Sequence, residues 1–252
     1  MTLKTLLIFV LFLLPVSMLG QTKTYFDPND KKVESSKLAG YYSIEKPDST
    51  DLNRKTEWKY FLSGKIKSET HFTNRVSKRN PKKELFKRDG KFHEWYENGQ
   101  LRKEINYMNG EFDGELTTYW DNGQLKRKEN YEAGKSINGK CFNAEGKEID
   151  YYSYEKMPEF PEGEKALLEY INRNLKYPVD MQKQGIHGMV ILQFTVERDG
   201  KTSDIKVLRS VNFDLDKAAI WIVKGLPKFK PAMRDGETVP SVFTLPIRFK
   251  LQ

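Results

Sequence analysis

Ser241-Val242-Phe243-Thr244-Leu245-Pro246-Ile247-Arg248-Phe249-Lys250-Leu251 sorts into two rows. Phe243, Leu245, Ile247, Phe249 and Leu251 fall on one side, and Val242, Thr244, Pro246, Arg248 and Lys250 on the other. A period of two is the signature of a strand with one buried face. Pro246 has no N–H to give a ladder, so this strand is expected at a sheet edge or at a bulge. The proline and the two basic residues discourage indiscriminate edge pairing. The strand is followed by Gln252 alone, so its outer side is expected to be open. An open edge is a means of capturing an extended peptide by strand addition.

Working back from this strand, Leu215, Ala218, Ala219, Ile222 and Val223 keep helical spacing, with Gly225 and Pro227 as stop signals. Phe229, Pro231 and Ala232 are expected in an irregular linker. Val190, Leu192, Phe194 and Val196 alternate, Asp199-Gly200 turns the chain, and Ile205 and Val207 continue a return strand. Further back, Leu167, Leu168, Ile171 and Leu175 form a helical stripe over Glu162 to Leu175, stopped by Tyr177-Pro178. Glu162 and Glu164 suit the positive end of that helix dipole. Met157-Pro158-Glu159-Phe160-Pro161 marks a domain boundary.

The order of these elements carries Tyr177-Pro178, Gly185-Ile186-His187-Gly188, Asp199-Gly200, Leu226-Pro227-Lys228-Phe229-Lys230-Pro231-Ala232, Val239-Pro240 and Leu245-Pro246-Ile247-Arg248-Phe249. In that order they resemble the TonB carboxyl-terminal domain family over about 95 residues, Pro158 to Gln252. The resemblance implies an α+β fold, a three-stranded antiparallel sheet packed on two helices, over 157–252. It also implies a role: gripping the TonB-box segment of an outer-membrane TonB-dependent transporter, the last strand accepting that segment as an added strand. On this chain the partner-binding positions are then Ser241, Val242, Phe243, Thr244, Leu245, Ile247 and Arg248, with Tyr177 and Pro178 nearby. The competing occupants of the edge are another part of the same chain and a homodimer mate.

The middle of the chain repeats itself. Asp89-Gly90-Lys91-Phe92-His93-Glu94-Trp95-Tyr96-Glu97-Asn98-Gly99-Gln100-Leu101 matches Asp113-Gly114-Glu115-Leu116-Thr117-Thr118-Tyr119-Trp120-Asp121-Asn122-Gly123-Gln124-Leu125, with equivalent glycines 24 apart. Degenerate copies surround Gly64 and Gly146. Asn-Gly between alternating runs predicts a hairpin whose two turn residues both take positive φ. Leu101, Ile105 and Tyr107 share one face, and Arg102, Glu104 and Asn106 the other. One hairpin cannot bury its apolar face alone, but stacked copies can. The units resemble the bacterial variant of the MORN repeat over about 58–149, which implies an all-β hairpin array that mediates contacts. The expected organisation is therefore a signal peptide or short membrane anchor (1–20), an irregular linker (21–57), hairpin repeats (58–150) and the TonB-like domain (157–252).

The amino terminus has Lys4, an apolar run from Leu6 to Leu14, Pro15, then Ser17 and Gly20. This is the layout of a secretory signal, with cleavage expected after Gly20. As a helix, Thr5 to Leu19 spans about 22 Å against a hydrocarbon core of about 30 Å. Export places the protein in the periplasm or cell envelope, anchored in the inner membrane if the segment stays. Retained, the anchor would allow contact with the inner-membrane proton-motor proteins that energise TonB. Removed, it leaves a soluble adaptor with two binding modules. The chain lacks the Pro-rich spacer of standard TonB proteins.

Of the 252 residues 38% are hydrophobic, and 43 Lys plus Arg against 35 Asp plus Glu give a net charge of +8. Much of the excess sits in Arg75, Lys78, Arg79, Lys82, Lys83, Lys87 and Arg88, on an insertion between the first two repeat copies. No nucleic-acid motif accompanies it, so a solvated loop is expected and nucleic acid is set aside as a partner. The single cysteine, Cys141, is expected to be a buried thiol. His93-Glu94-Trp95-Tyr96-Glu97 lacks the second His of a zinc-protease helix. With no nucleophile–base set, phosphate loop or metal cluster, no catalytic residue, metal site or cofactor is assigned.

Overall fold

The computed structural model describes residues 22–75 and 85–251. The amino-terminal segment and most of the basic cluster lie outside the described residues. The chain divides into two compact units between Tyr151 and Tyr152.

The first unit holds twelve strands in one antiparallel sheet. They are β1 Thr24–Phe26, β2 Lys32–Val33, β3 Tyr41–Pro47, β4 Arg54–Phe61, β5 Ile66–Asn74 and β6 Phe86–Trp95, followed by β7 Leu101–Met108, β8 Glu111–Phe112, β9 Gly114–Tyr119, β10 Leu125–Glu132, β11 Lys135–Phe142 and β12 Glu148–Ile149. From β3 to β12 sheet order follows chain order, except that β8 pairs only with the end of β7; β1 lies between β3 and β2. Within the stretch 21–57, expected as an irregular linker, β1, β2, β3 and the start of β4 are therefore strands of the sheet. β3 pairs residue for residue with β4, from Tyr41↔Phe61 to Pro47↔Lys55.

The turns correct a second expectation. Gly99 and Gly123 have φ of 94° and 85°, but Asn98 and Asn122 do not have positive φ. Tyr96 N–H donates to Gln100 O (2.9 Å) and Gly99 N–H to Tyr96 O (2.9 Å), and Trp120, Gln124 and Gly123 repeat this at 2.8 and 2.9 Å. These are three-residue loops, in which only the last position needs left-handed backbone. The two-residue turns with paired positive φ are at the other end of the sheet, at Asn109-Gly110 and Ala133-Gly134. The freed asparagine side chains couple neighbours: Asn98 Nδ2 donates to Asp121 O and Asn122 Nδ2 to Ala144 O, both at 2.9 Å. Tyr96 Oη donates to Tyr119 O at 2.9 Å and Trp120 Nε1 to Phe142 O at 3.1 Å. Each copy thus bonds to the next, as expected of a quasi-one-dimensional array.

Phe92, Ile105, Tyr107, Leu116 and Tyr131 are buried on the inner face, and Cys141 is fully buried there. The last full copy departs from this pattern. Glu129 stands where the preceding copy has Ile105, 24 residues earlier, and it pairs with Arg127 at 2.6 Å with both side chains fully buried. Tyr151 Oη donates to Glu129 Oε1 at 2.8 Å, closing the end of the array. A Cβ on Gly139 would come within 3.0 Å of Glu129 Cγ, so the glycine makes room for the pair. Burial, then the nearby Glu129 carboxylate, holds the Tyr131 phenol well above the ordinary tyrosine range. Removing only the Tyr151 hydroxyl, with Tyr151→Phe, is expected to lower the stability of this unit by about 1 kcal/mol. Urea denaturation followed by tryptophan emission checks it, and an unchanged midpoint contradicts the role given to this bond.

The second unit contains β13 Glu155–Lys156, α1 Gly163–Asn174, α2 Val179–Lys183, β14 Gly188–Val196, β15 Thr202–Arg209, α3 Phe213–Lys224, β16 Ala232–Arg234, β17 Glu237–Val239 and β18 Ser241–Phe249. The main sheet has the order β15-β14-β18. Val190, Leu192 and Phe194 of β14, Leu215 and Ile222 of α3, and Leu167 of α1 share one core with Leu245, Ile247 and Phe249. Asn212 caps α3 by accepting from Asp214 N–H at 2.8 Å. Two positions expected inside are outside: Leu168 is 53% exposed on α1, and Leu251 lies beyond the end of β18 and is 40% exposed.

Beside this sheet lies a second small one, β13-β16-β17, which takes up Ala232 of the expected irregular linker. Its turn is Asp235-Gly236, with both residues at positive φ (49° and 82°). Residues 152–156, outside the expected domain, supply β13, which pairs with β16. Gly200 is required by proximity: Phe229 N–H donates to Gly200 O at 2.9 Å, and a Cβ at Gly200 would sit 2.1 Å from Phe229 O. Gly225 ends α3 at φ −93°, not in the left-handed conformation expected of a stop glycine. Instead the Tyr170 hydroxyl of α1 donates to its carbonyl.

Candidate functional site

β18 runs beside β14 over nine residues, from Ser241↔Val196 to Phe249↔Gly188, without a register shift. Among the described residues β14 is its single strand partner. In an antiparallel ladder, hydrogen-bonded and non-bonded pairs alternate. Pro246 has no N–H, so its place is a non-bonded pair, opposite Ile191. The alternation then directs the backbone groups of Phe243, Leu245, Ile247 and Phe249 to β14. Those of Val242, Thr244 and Arg248 face the open side. The open side therefore offers three N–H donors, at Val242, Thr244 and Arg248, and four carbonyls, those three and Pro246.

Side chains follow the same parity. Leu245 and Ile247 are buried, and Phe243 is half-buried with its ring stacked on Phe194 at 5.4 Å. These three anchor the strand and do not face a newcomer. Val242, Thr244 and Arg248 are exposed, and Ser241 is half-buried at the strand start. The Tyr177 ring meets Phe249 edge-on at 5.5 Å, and its hydroxyl donates to Ile186 O at 2.7 Å. Pro178 is the cap residue that opens α2. The structure thus brings Tyr177 to the end of β18, while Pro178 serves the chain turn behind it.

The opposite edge of the sheet differs. β15 departs from regular pairing with β14 at two places, between Ile191 and Leu192 and between Gln193 and Thr195. Asp204 on β15 takes a positive φ of 49°. Bulges are among the usual means of blunting an edge. β15 is thus bulged, while β18 is straight and is interrupted as a donor row by Pro246 alone.

In the first unit a cavity of about 260 Å³ is lined by Asp48, Arg54, His71 and Asp89, among others. His71 Nδ1 lies 3.0 Å from Thr56 Oγ1, and Asp89 is paired with Arg75 at 3.0 Å, so its polar groups are already engaged. His93 is on β6, 3.0 Å from Glu104 Oε2. Among the described residues no cluster of three or more His, Cys, Asp or Glu could hold a metal ion. Among them, too, no helix is long and apolar enough to cross a membrane.

Residues 173–251 match the family described as Gram-negative bacterial TonB protein C-terminal. Residues 88–109 and 112–133 match the MORN repeat variant. The chain is thus similar to the TonB carboxyl-terminal family over residues 173–251 and to the MORN repeat variant over two segments between residues 88 and 133. Protein TonB of Helicobacter pylori is 35% identical over 83 residues, a match spanning 32% of this chain and 28% of that protein. Two solution structures of the Helicobacter pylori TonB carboxyl-terminal domain are 27% and 26% identical. They cover 35% and 34% of this chain and 92% and 78% of theirs, with TM-scores of 0.29 and 0.28.

Proposed function

We propose that this is a TonB-like envelope protein that captures an extended segment of an outer-membrane TonB-dependent transporter as a fourth strand on β18 and takes part in transmembrane transport. The observation that carries the reading is the contrast between the two edges of one sheet: among the described residues β18 is straight and has no strand on its outer side, while β15 is bulged. Backbone bonds give a grip that depends little on the captured sequence. Each contributes about 1 kcal/mol net, so a set of this size suits reversible binding once the ordering cost of the peptide is met. No catalytic step is assigned.

The test is titration of the isotope-labelled chain with a peptide from the periplasmic amino-terminal segment of such a transporter. Amide shifts are expected to concentrate at Val242, Thr244 and Arg248, with the amide protons of Val242 and Thr244 becoming protected from exchange. Shifts confined to β15 or to the repeats contradict the reading. A second reading, a periplasmic adaptor without energy transduction, is favoured by the repeat sheet that stands where a Pro-rich spacer is expected. Detection of Gln21 as the mature amino terminus by mass spectrometry supports the adaptor, because a removed leader leaves nothing to engage an inner-membrane motor.

A further inference from the structure

α3 buries Leu215, Ala219, Ile222 and Val223 completely, so its inward face is satisfied. Its outward face nonetheless carries Phe213, 68% exposed, and Trp221, 55% exposed. Nothing in the core requires either ring. Phe213, Lys217 and Trp221 follow one another at four-residue intervals, a stripe about 12 Å long on one side of the helix. Each ring has an ammonium over it: Lys217 Nζ lies 4.1 Å from the Phe213 centroid and Lys176 Nζ 5.7 Å from that of Trp221. Among the described residues neither lysine has a carboxylate partner. Of the two acidic residues near the start of α3, Asp216 is engaged by Ser210 Oγ at 2.6 Å and Val211 N–H at 3.3 Å.

We infer that this stripe is a docking surface for an anionic phospholipid membrane. Two large rings in line, each with a lysine ammonium over it, match a surface whose apolar layer lies just beneath a layer of phosphates. Rings enter at the level of the headgroups, and the lysine stems carry their ammoniums to the phosphates. A helix lying flat on the membrane engages both rings at once. The stripe faces away from the core that α3 shares with the sheet, so contact with lipid leaves the open edge of β18 uncovered. The inference does not depend on strand capture, and the two can fail separately.

The test uses the full chain with vesicles of phosphatidylcholine alone and with about one lipid in three replaced by phosphatidylglycerol, whose negative surface potential attracts lysines. The chain is expected to bind the anionic vesicles preferentially. The variants Phe213→Ser/Trp221→Ser and Lys176→Glu/Lys217→Glu are each expected to bind them about tenfold more weakly, with melting temperatures close to that of the parent, because all four residues are on the surface. Brominated acyl chains are expected to quench an emission component that Trp221→Phe abolishes. Binding and quenching that survive these changes overturn the inference. So does self-association, by sedimentation equilibrium, that the serine variant alone abolishes, since it assigns the stripe to a second copy of the chain. Thr244→Pro is expected to leave vesicle binding unchanged.

Discussion

Thr244→Pro is expected to weaken capture of a transporter segment by tenfold or more while the domain still folds. The backbone parity of β18 explains both halves of that result. Thr244 lies opposite Gln193, two residues before Pro246, in a pair that sends its N–H to the open side. Replacing that N–H with a ring removes a central donor and puts bulk where a new strand must lie. With Pro246 already silent, the N–H groups left to a newcomer are those of Val242 and Arg248, at the two ends. One lost bond contributes about 1 kcal/mol and interruption of its neighbours more, and 1.4 kcal/mol corresponds to tenfold in affinity. The bonds to β14 at Phe243 and Leu245 are untouched, and the Thr244 side chain is exposed, so a melting temperature lowered by no more than several degrees is expected. Thr244→Ala keeps the N–H and should bind as the parent does. Equal affinities of the proline and alanine variants in isothermal titration would sink the strand-addition account.

The second large effect concerns where the carboxyl-terminal domain begins. The family match starts at residue 173, inside α1. The core does not start there. Phe160, Leu167 and Ile171 belong to it, and the Phe160 ring meets Phe229 edge-on at 5.5 Å and Tyr170 at 6.1 Å. β13 supplies one strand of the small sheet, and Glu159 bonds Lys230 in both directions, N–H to carbonyl at 3.0 and 2.8 Å. Loss of a buried side chain of this size costs about 2–5 kcal/mol, and an entire domain is stable by about 5–15 kcal/mol. A fragment of residues 173–252 is therefore expected to be unfolded, and one of residues 152–252 to unfold cooperatively in urea. Dispersed amide spectra from the shorter fragment, with the same urea midpoint, would remove Phe160 and α1 from the folding unit.

Most of the second unit is legible in the sequence because its long elements repeat a strong period. Val190, Leu192, Phe194 and Val196 alternate without interruption, and the α3 stripe runs over two turns. Short strands carry no such period. β13, β16 and β17 are two or three residues long, and β1 and β2 likewise give no signal in the stretch expected as linker. The dipeptide Asp235-Gly236 is the one mark that β16 and β17 leave in the sequence. Helix faces mislead at Leu168, because spacing gives the width of a stripe and not where the neighbouring layer ends. For the candidate site, Pro246 narrows β18 to an edge strand or a bulged one, since a missing N–H is a property of the residue, and the unshifted register with β14 leaves the edge. The blunting of β15 is not legible, since a bulge and the left-handed Asp204 depend on pairing with β14. Nor is the Arg127–Glu129 pair, although comparing Glu129 with Ile105 one repeat earlier shows a charge in an apolar place.

Pro246 also lets the molecule tell itself from others. Two copies joined edge to edge through β18 bring two prolines to the seam, and the shared ladder is short of donors on both sides. A captured strand that has no proline of its own leaves the deficit to be borne once. At one net hydrogen bond per missing donor, homotypic pairing is disfavoured by about 1 kcal/mol relative to a foreign strand of the same length. A single residue thus weighs about fivefold against a second copy of the chain relative to a proline-free strand.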